Sequence, residues 1–252
     1  MFPGRARALL LTSAVDADTW VNRPFEAIRE QTAGVEHGLD RFFAACAAHQ
    51  QACGFGGDDP EDAFGDLVAQ AQAGDGSALR ELTDALAYQR TPDGDSPAMG
   101  VNWVTLANDQ RYPRRVEPFL EAGGHAASLF PHFFLNSGYR ELAMGQLPVR
   151  REGAFAGPFR HGADATPALV IGTTHDTFTP FAWARRLVAD LGNARLLTFR
   201  GDGHDVLTSF DPCVVGAIVG YLEELALPAS VAVCRREPPF TPPAAPGAPP
   251  AR

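Results

Sequence analysis

The sequence contains no stretch of about 20 apolar residues, the length a helix needs to cross a bilayer, so no membrane span is expected. Basic residues are in deficit, with 21 Lys and Arg against 30 Asp and Glu and a net charge of −9. Together with a pI of about 5.2, this excludes nucleic acid and anionic membrane as main partners. None of the four cysteines stands in a CxxC pair, and no histidine cluster accompanies them at zinc-ligand spacing. Neither a metal nor a cofactor is therefore expected. No internal repeat is visible. Arg5 and Arg7 precede the apolar run Ala8–Val15 as in an export signal, but that run is short and Asp16 and Asp18 follow at once, so a buried strand is expected there instead.

What remains is the composition of a soluble globular protein, 45% hydrophobic and 20% charged. A length of 252 residues allows one large domain or two ordinary ones. The cysteines pair off along the chain, Cys46 near Cys53 and Cys213 near Cys234. That spacing suggests two disulfides in an exported protein. Four unrelated buried thiols are the alternative.

Three regions of different character follow one another. Residues 1–20 hold one strand, Ala8–Ala14, apolar on both faces, which belongs inside a parallel sheet with neighbours on each side. Asp16 and Asp18 suit the turn that ends it. Residues 21–165 read as helical and irregular. Val35, Leu39, Phe42, Phe43 and Cys46 recur at helical spacing, as do Ala63, Phe64, Leu67, Val68 and Ala71. Ser77 is placed to cap a third helix carrying Leu79, Leu82 and Leu86, and Thr91–Pro97 is a turn-rich break. Shorter helical pieces are expected at Trp103–Asp109, Val116–Glu121 and Ala126–Phe134, with polar loops over Arg150–Asp164.

From residue 166 to 236 the pattern alternates. Ala168–Gly172 and Arg195–Phe199 are short apolar strands. Thr179-Pro180 opens a helix, with Thr179 as its cap, that Gly192 ends. Asp211-Pro212 opens another that carries Val214, Ile218 and Leu222. Strands alternating with helices predict parallel βαβ units and an α/β fold. Residues 237–252 hold seven prolines and are expected to be a disordered tail.

Ligands of an open parallel sheet bind beyond the carboxyl ends of its strands. Asp176 follows the strand Ala168–Gly172, and His204 follows Arg195–Phe199 in a GDGH loop whose two glycines permit a tight backbone. A carboxylate on Nδ1–H would fix the imidazole tautomer and leave Nε2 free to take a proton from a nucleophile. Two plainer alternatives stand beside this: Asp176 as a turn or cap residue, and His204 as a loop histidine paired locally with Asp202 or Asp205. His37, His49, His125, His132, His161 and His175 read as structural or solvated.

Residues 167–234 resemble the C-terminal part of an α/β-hydrolase, specifically the secreted tripeptidyl aminopeptidase and proline-iminopeptidase-like group. The likeness is carried by the strand followed by DTFTP, the helix with Ala184-Arg185-Arg186-Leu187, the GDGH loop, and Cys213 and Cys234 around YLEELALP. MFPGRARALLLTSAVDADTW is similar to the segment that follows the nucleophile helix in that family, and FFAACAAHQQAC resembles its first lid helix. The resemblance implies that Asp176 is the triad acid, His204 the general base, residues 21–165 a lid, and Cys46–Cys53 and Cys213–Cys234 disulfides. It also implies a peptide or small-ester substrate and an extracellular location. The lid departs from the pattern at Ala107, where the family commonly has cysteine.

The nucleophile is the larger departure. Enzymes of this superfamily carry it in a G-x-S-x-G elbow ahead of the acid and the histidine. The serines are Ser13, Ser77, Ser96, Ser128, Ser137, Ser209 and Ser230, and none sits in that motif. Asn136-Ser137-Gly138 comes nearest but lacks the preceding strand. The expected protein is thus the C-terminal portion of an α/β-hydrolase parallel sheet with a large, mainly helical lid insertion, lacking nucleophile and oxyanion hole. Either the nucleophile is supplied by a separate polypeptide or by coding sequence outside this start, or the chain is a catalytically inactive fragment or ligand-binding module.

Overall fold

The computed structural model describes residues 6–74, 98–132, 139–149, 153–204, 206–207 and 210–236. The Ser77-capped helix, the Thr91–Pro97 break, Ser137, Asp205 and the proline-rich tail lie outside the described residues, as do Phe133 and Phe134.

Four parallel strands form a sheet in sequence order: β1 (Leu10–Thr12), β2 (Ala168–His175), β3 (Ala194–Asp202) and β4 (Val233–Arg235). The run Ala-Leu-Val-Ile is apolar at successive positions because β2 is covered on both faces. Leu169 and Ile171 meet Leu197, Phe199, Val214 and Tyr221 on one side. Val170 meets Ala184 and Leu187 on the other. Each fully buried side chain of this size contributes about 1.5–3 kcal/mol.

Two helices provide those covers, α8 (Phe181–Leu191) and α9 (Pro212–Glu224). Gly192 stops α8 in the left-handed conformation at φ 71°, as its position predicts. Asp211 caps α9 by accepting from the backbone N–H groups of Cys213 and Val214 at 3.0 and 3.1 Å. Thr179 does not cap α8. That place falls to Pro180, because the Thr179 hydroxyl is held elsewhere.

Seven described helices stand between β1 and β2: α1 (Ala17–Asn22), α2 (Pro24–Ala48), α3 (Gln50–Cys53), α4 (Pro60–Gln72), α5 (Ala98–Asp109), α6 (Glu117–Leu129) and α7 (Tyr139–Gln146). They build a second core from Ala107, Tyr112, Phe119 and Met144, against which Phe25 of α2 packs. Ala107, 5% exposed, is a small residue in that core. Cys46 is bonded to Cys53 and Cys213 to Cys234, with Cα–Cα distances of 5.2 and 5.7 Å.

Two further expectations are corrected. β1 covers only Leu10–Thr12 rather than Ala8–Ala14; its one neighbour among the described residues is β2, which leaves the open side expected of this strand in the absence of a nucleophile strand. Asp16 ends no simple turn: its side chain accepts from the backbone N–H and the hydroxyl of Thr19 and so starts α1. The strand β4 had no recognisable signal, being three residues long with only Cys234 buried.

Candidate active site

β2 and β3 are adjacent and parallel, so their carboxyl ends deliver residues 176 and 204 to the same edge. Asp176 turns back on its own loop. Its Oδ1 accepts from the backbone N–H groups of Phe178 and Thr179 at 2.9 and 2.8 Å, and its Oδ2 accepts from the Thr179 hydroxyl at 2.8 Å. This is an Asx-type turn, and it leaves the carboxylate buried with its direction set.

His204 meets that carboxylate through Nδ1, 3.0 Å from Oδ1 and 3.2 Å from Oδ2. The turn role and the histidine contact therefore coexist in one side chain. The Asp176 side chain is 1% exposed and that of His204 43%, so the pair is sealed at the acid and open at the imidazole. Among the described residues no hydrogen-bond partner is recorded for Nε2. Phe178 covers part of the ring, with centroids 5.3 Å apart. Of the two glycines in GDGH only Gly203 uses its freedom, at φ 117°; Gly201 belongs to β3, where a Cβ would lie 3.0 Å from that of Arg236.

Asp202 is not a local partner of His204. It points the other way, where Arg41 of α2 grips both its oxygens, Nε to Oδ1 at 2.6 Å and Nη2 to Oδ2 at 2.9 Å. The hydrogen bond from Arg41, outweighing burial, holds the Asp202 carboxyl below its ordinary range. His175, the last residue of β2, lies beside this ion pair with its ring 5.6 Å from that of His37. Burial and then the Arg41 charge push its pKa down.

Two further features tie the helical segment to the sheet. Arg186 of α8 donates to Asp16 and to Glu30 of α2, each at 2.5 Å. Trp183 donates its indole N–H to the same Glu30 oxygen. Ser13, just past β1, donates its hydroxyl to the backbone carbonyl of His204 rather than to its ring. On the far side of α2, Glu36 accepts from the ring and the backbone N–H of His132 at 2.6 and 3.2 Å. His132 lies there between Phe43 and Phe64, away from the sheet edge.

The grouping of Asp211, Cys213 and Cys234 brings three potential metal-ligand atoms close together. Both sulfurs are joined in a disulfide and Asp211 caps a helix, so no ligand set is available. Arg41, Gln31, Gly34 and Gly38 escaped the sequence reading. The available signal was a pair of glycines four residues apart inside a helix, where glycine is costly unless something must approach closely.

Comparison with known proteins places these observations in context. Residues 146–234 match the family of TAP-like proteins. A Mycobacterium bovis protein that bears the name Putative hydrolase and Carboxylesterase B of Mycobacterium tuberculosis are each 33% identical to this chain over 175 residues. That match takes in 68% of this chain and 30% of each relative, so it spans less than a third of their length.

Proposed function

We propose that this chain, which belongs to the TAP-like group of the α/β-hydrolase superfamily, supplies the acid and the general base of a serine acyl hydrolase. The observation that carries the proposal is the bond of His204 Nδ1 to the buried Asp176 carboxylate with the other end of the ring open. In this reading Asp176 fixes the tautomer and stabilises the imidazolium. Nε2 of His204 takes the proton of a serine hydroxyl as that oxygen attacks the acyl carbon, then returns it to the leaving group. The serine comes from outside these 252 residues, since none of theirs stands in an elbow motif.

The substrate class is an acyl compound, with peptides that release an N-terminal residue or short fragment favoured by the sequence resemblance. Small esters are the other member of the class, in keeping with the name Carboxylesterase B borne by relatives. Residues 21–165 serve as the lid that shapes the cleft, and the two disulfides suit an oxidising, extracellular setting. The absence of an elbow motif supports a second reading, in which the chain is an inactive module that still holds a ligand under its helical part.

A fluorophosphonate probe separates the two. The purified chain alone is expected to stay unlabelled. Mixed with a polypeptide encoded beside it that carries G-x-S-x-G, it should promote labelling of that serine and hydrolysis of an aminoacyl-aminocoumarin, both abolished by His204→Ala. No rate with any such partner, either mixed in or joined ahead of residue 1, favours the inactive module, and stoichiometric labelling of the chain alone refutes an external nucleophile.

A further inference from the structure

Helix α2 lies across the carboxyl ends of β2 and β3, and one face of it meets the two loops that carry Asp176 and His204. Gln31 Nε2 donates to the backbone carbonyl of Phe178 at 2.7 Å. A Cβ at Gly34 would stand 2.9 Å from the carbonyl oxygen of Thr177 and 3.4 Å from that of Asp176; one at Gly38 would stand 2.5 Å from Thr177 Cγ2. The helix backbone is thus pressed against the acid loop, closer than any side chain permits. A turn further on, Arg41 closes its fork on Asp202, the last residue of β3. Positions 31, 34, 38 and 41 are successive members of one helical face.

The two loops need this support unequally. Asp176 is fixed by three bonds from its own turn. His204 has no such turn. It follows a glycine at φ 117°, and the Gly203 N–H reaches the carbonyl of His175 only at 3.4 Å. The end of β3 is instead fixed from outside, by the Arg41 fork and by the Ser13 hydroxyl on the His204 carbonyl. A planar guanidinium that binds both carboxylate oxygens sets direction as well as distance, which a lysine ammonium does not.

We propose that this face of α2 is a brace for the acid and histidine loops, with Arg41 the positioning residue that aims His204 at Asp176. The proposal rests on the acid–base reading of the pair. Arg41 touches no reacting atom; it acts through Asp202 and the two residues that follow it.

The test is the tautomer of His204 in the full 15N-labelled chain, read from long-range proton–nitrogen spectra and assigned against His204→Asn. The unaltered chain should show the Nδ1–H form. In Arg41→Gln and in Asp202→Asn the ratio of Nδ1–H to Nε2–H should fall about fivefold, the loss expected when a hydrogen bond of ordinary net strength is misaligned. Arg41→Lys should recover only part of it. Melting temperatures should change little, because the ion pair is about one-third exposed and ion pairs open to solvent add little to stability. Should Arg41→Gln fail to fold, Asp202→Asn carries the same test. An unchanged tautomer ratio in a folded variant with the ion pair broken overturns the brace and leaves the acid–base reading standing. A chain that shows no Nδ1–H preference before any substitution overturns that reading, and the brace with it.

Discussion

Thr179→Val removes from the buried acid one hydroxyl that also stands 3.4 Å from His204 Nδ1. Valine has nearly the shape of threonine and the same branched Cβ, so the backbone and the packing around position 179, 8% exposed, are retained. The loss is the 2.8 Å bond to Asp176 Oδ2, whose other described partner is His204 Nδ1 at 3.2 Å. A buried hydrogen bond to a carboxylate contributes about 1.5–3 kcal/mol, and part is recovered if the ring shifts toward the freed oxygen. A net loss of about 2 kcal/mol corresponds to a fall of about 4–8 °C in Tm for a chain of this size. Thr179→Ser keeps the hydroxyl and deletes a methyl, at a cost of about 0.8 kcal/mol. Calorimetry of the two variants beside the parent decides the matter: the valine variant should be the less stable. If it melts within about 2 °C of the parent while the serine variant falls further, Thr179 is present for packing, and the bond to Asp176 carries no net stability.

Two other outcomes are expected. Replacing both Cys213 and Cys234 with alanine frees a loop 21 residues in sequence separation; the loop-entropy relation gives a loss of about 3 kcal/mol, read as a lower urea midpoint, and a midpoint unchanged from the oxidised parent would show that the crosslink is idle. The acid limb of stability should begin near pH 4. Asp16 is pushed up by burial but pulled lower still by hydrogen bonds from Thr19 and Arg186, and Asp202 is held low mainly by Arg41. A carboxyl whose folded pKa lies below the unfolded value of about 3.9 adds stability above that value and loses it as pH falls through the folded one. Asp190, pushed up by burial and then by Asp16 and Asp18, works in the opposite direction but is exposed. Urea midpoints between pH 6 and 3 should therefore fall less steeply for Asp16→Asn than for the parent, and equal slopes would refute the assignment.

The parts of the fold legible in the sequence were those whose cause is local. Asp211-Pro212 marks a helix start because cap and proline act within one turn, and Gly192 marks a stop because only its own φ matters. The unbroken apolar run of β2 announces a strand covered on both faces. Asp176 and His204 were legible as a pair because strand ends converge in any parallel sheet. What stayed hidden depends on contacts distant in sequence. Thr179 looks like a cap until the carboxylate three residues earlier takes its hydroxyl. Asp202 and His204 stand two residues apart, yet one turns to a helix 161 positions earlier and the other to Asp176. β4, three residues with a single buried side chain, exists only because β3 offers it an edge.

The ties at the two halves of α2 limit how the helical segment can swing. Glu30 is fastened to Arg186 and Trp183 on α8, and Arg41 to the end of β3. At 1.5 Å per residue these anchor points stand about 16 Å apart on one rigid rod. A rod held at two points cannot pivot about either without breaking the other. In the proposed lid reading, any opening is hinged beyond α2, between its Phe25 end and the α5–α7 core or at the Cys46–Cys53 corner. If residues 21–165 serve as the proposed lid, the stretch of α2 between Glu30 and Arg41 stays fixed against the acid loop while the remainder moves.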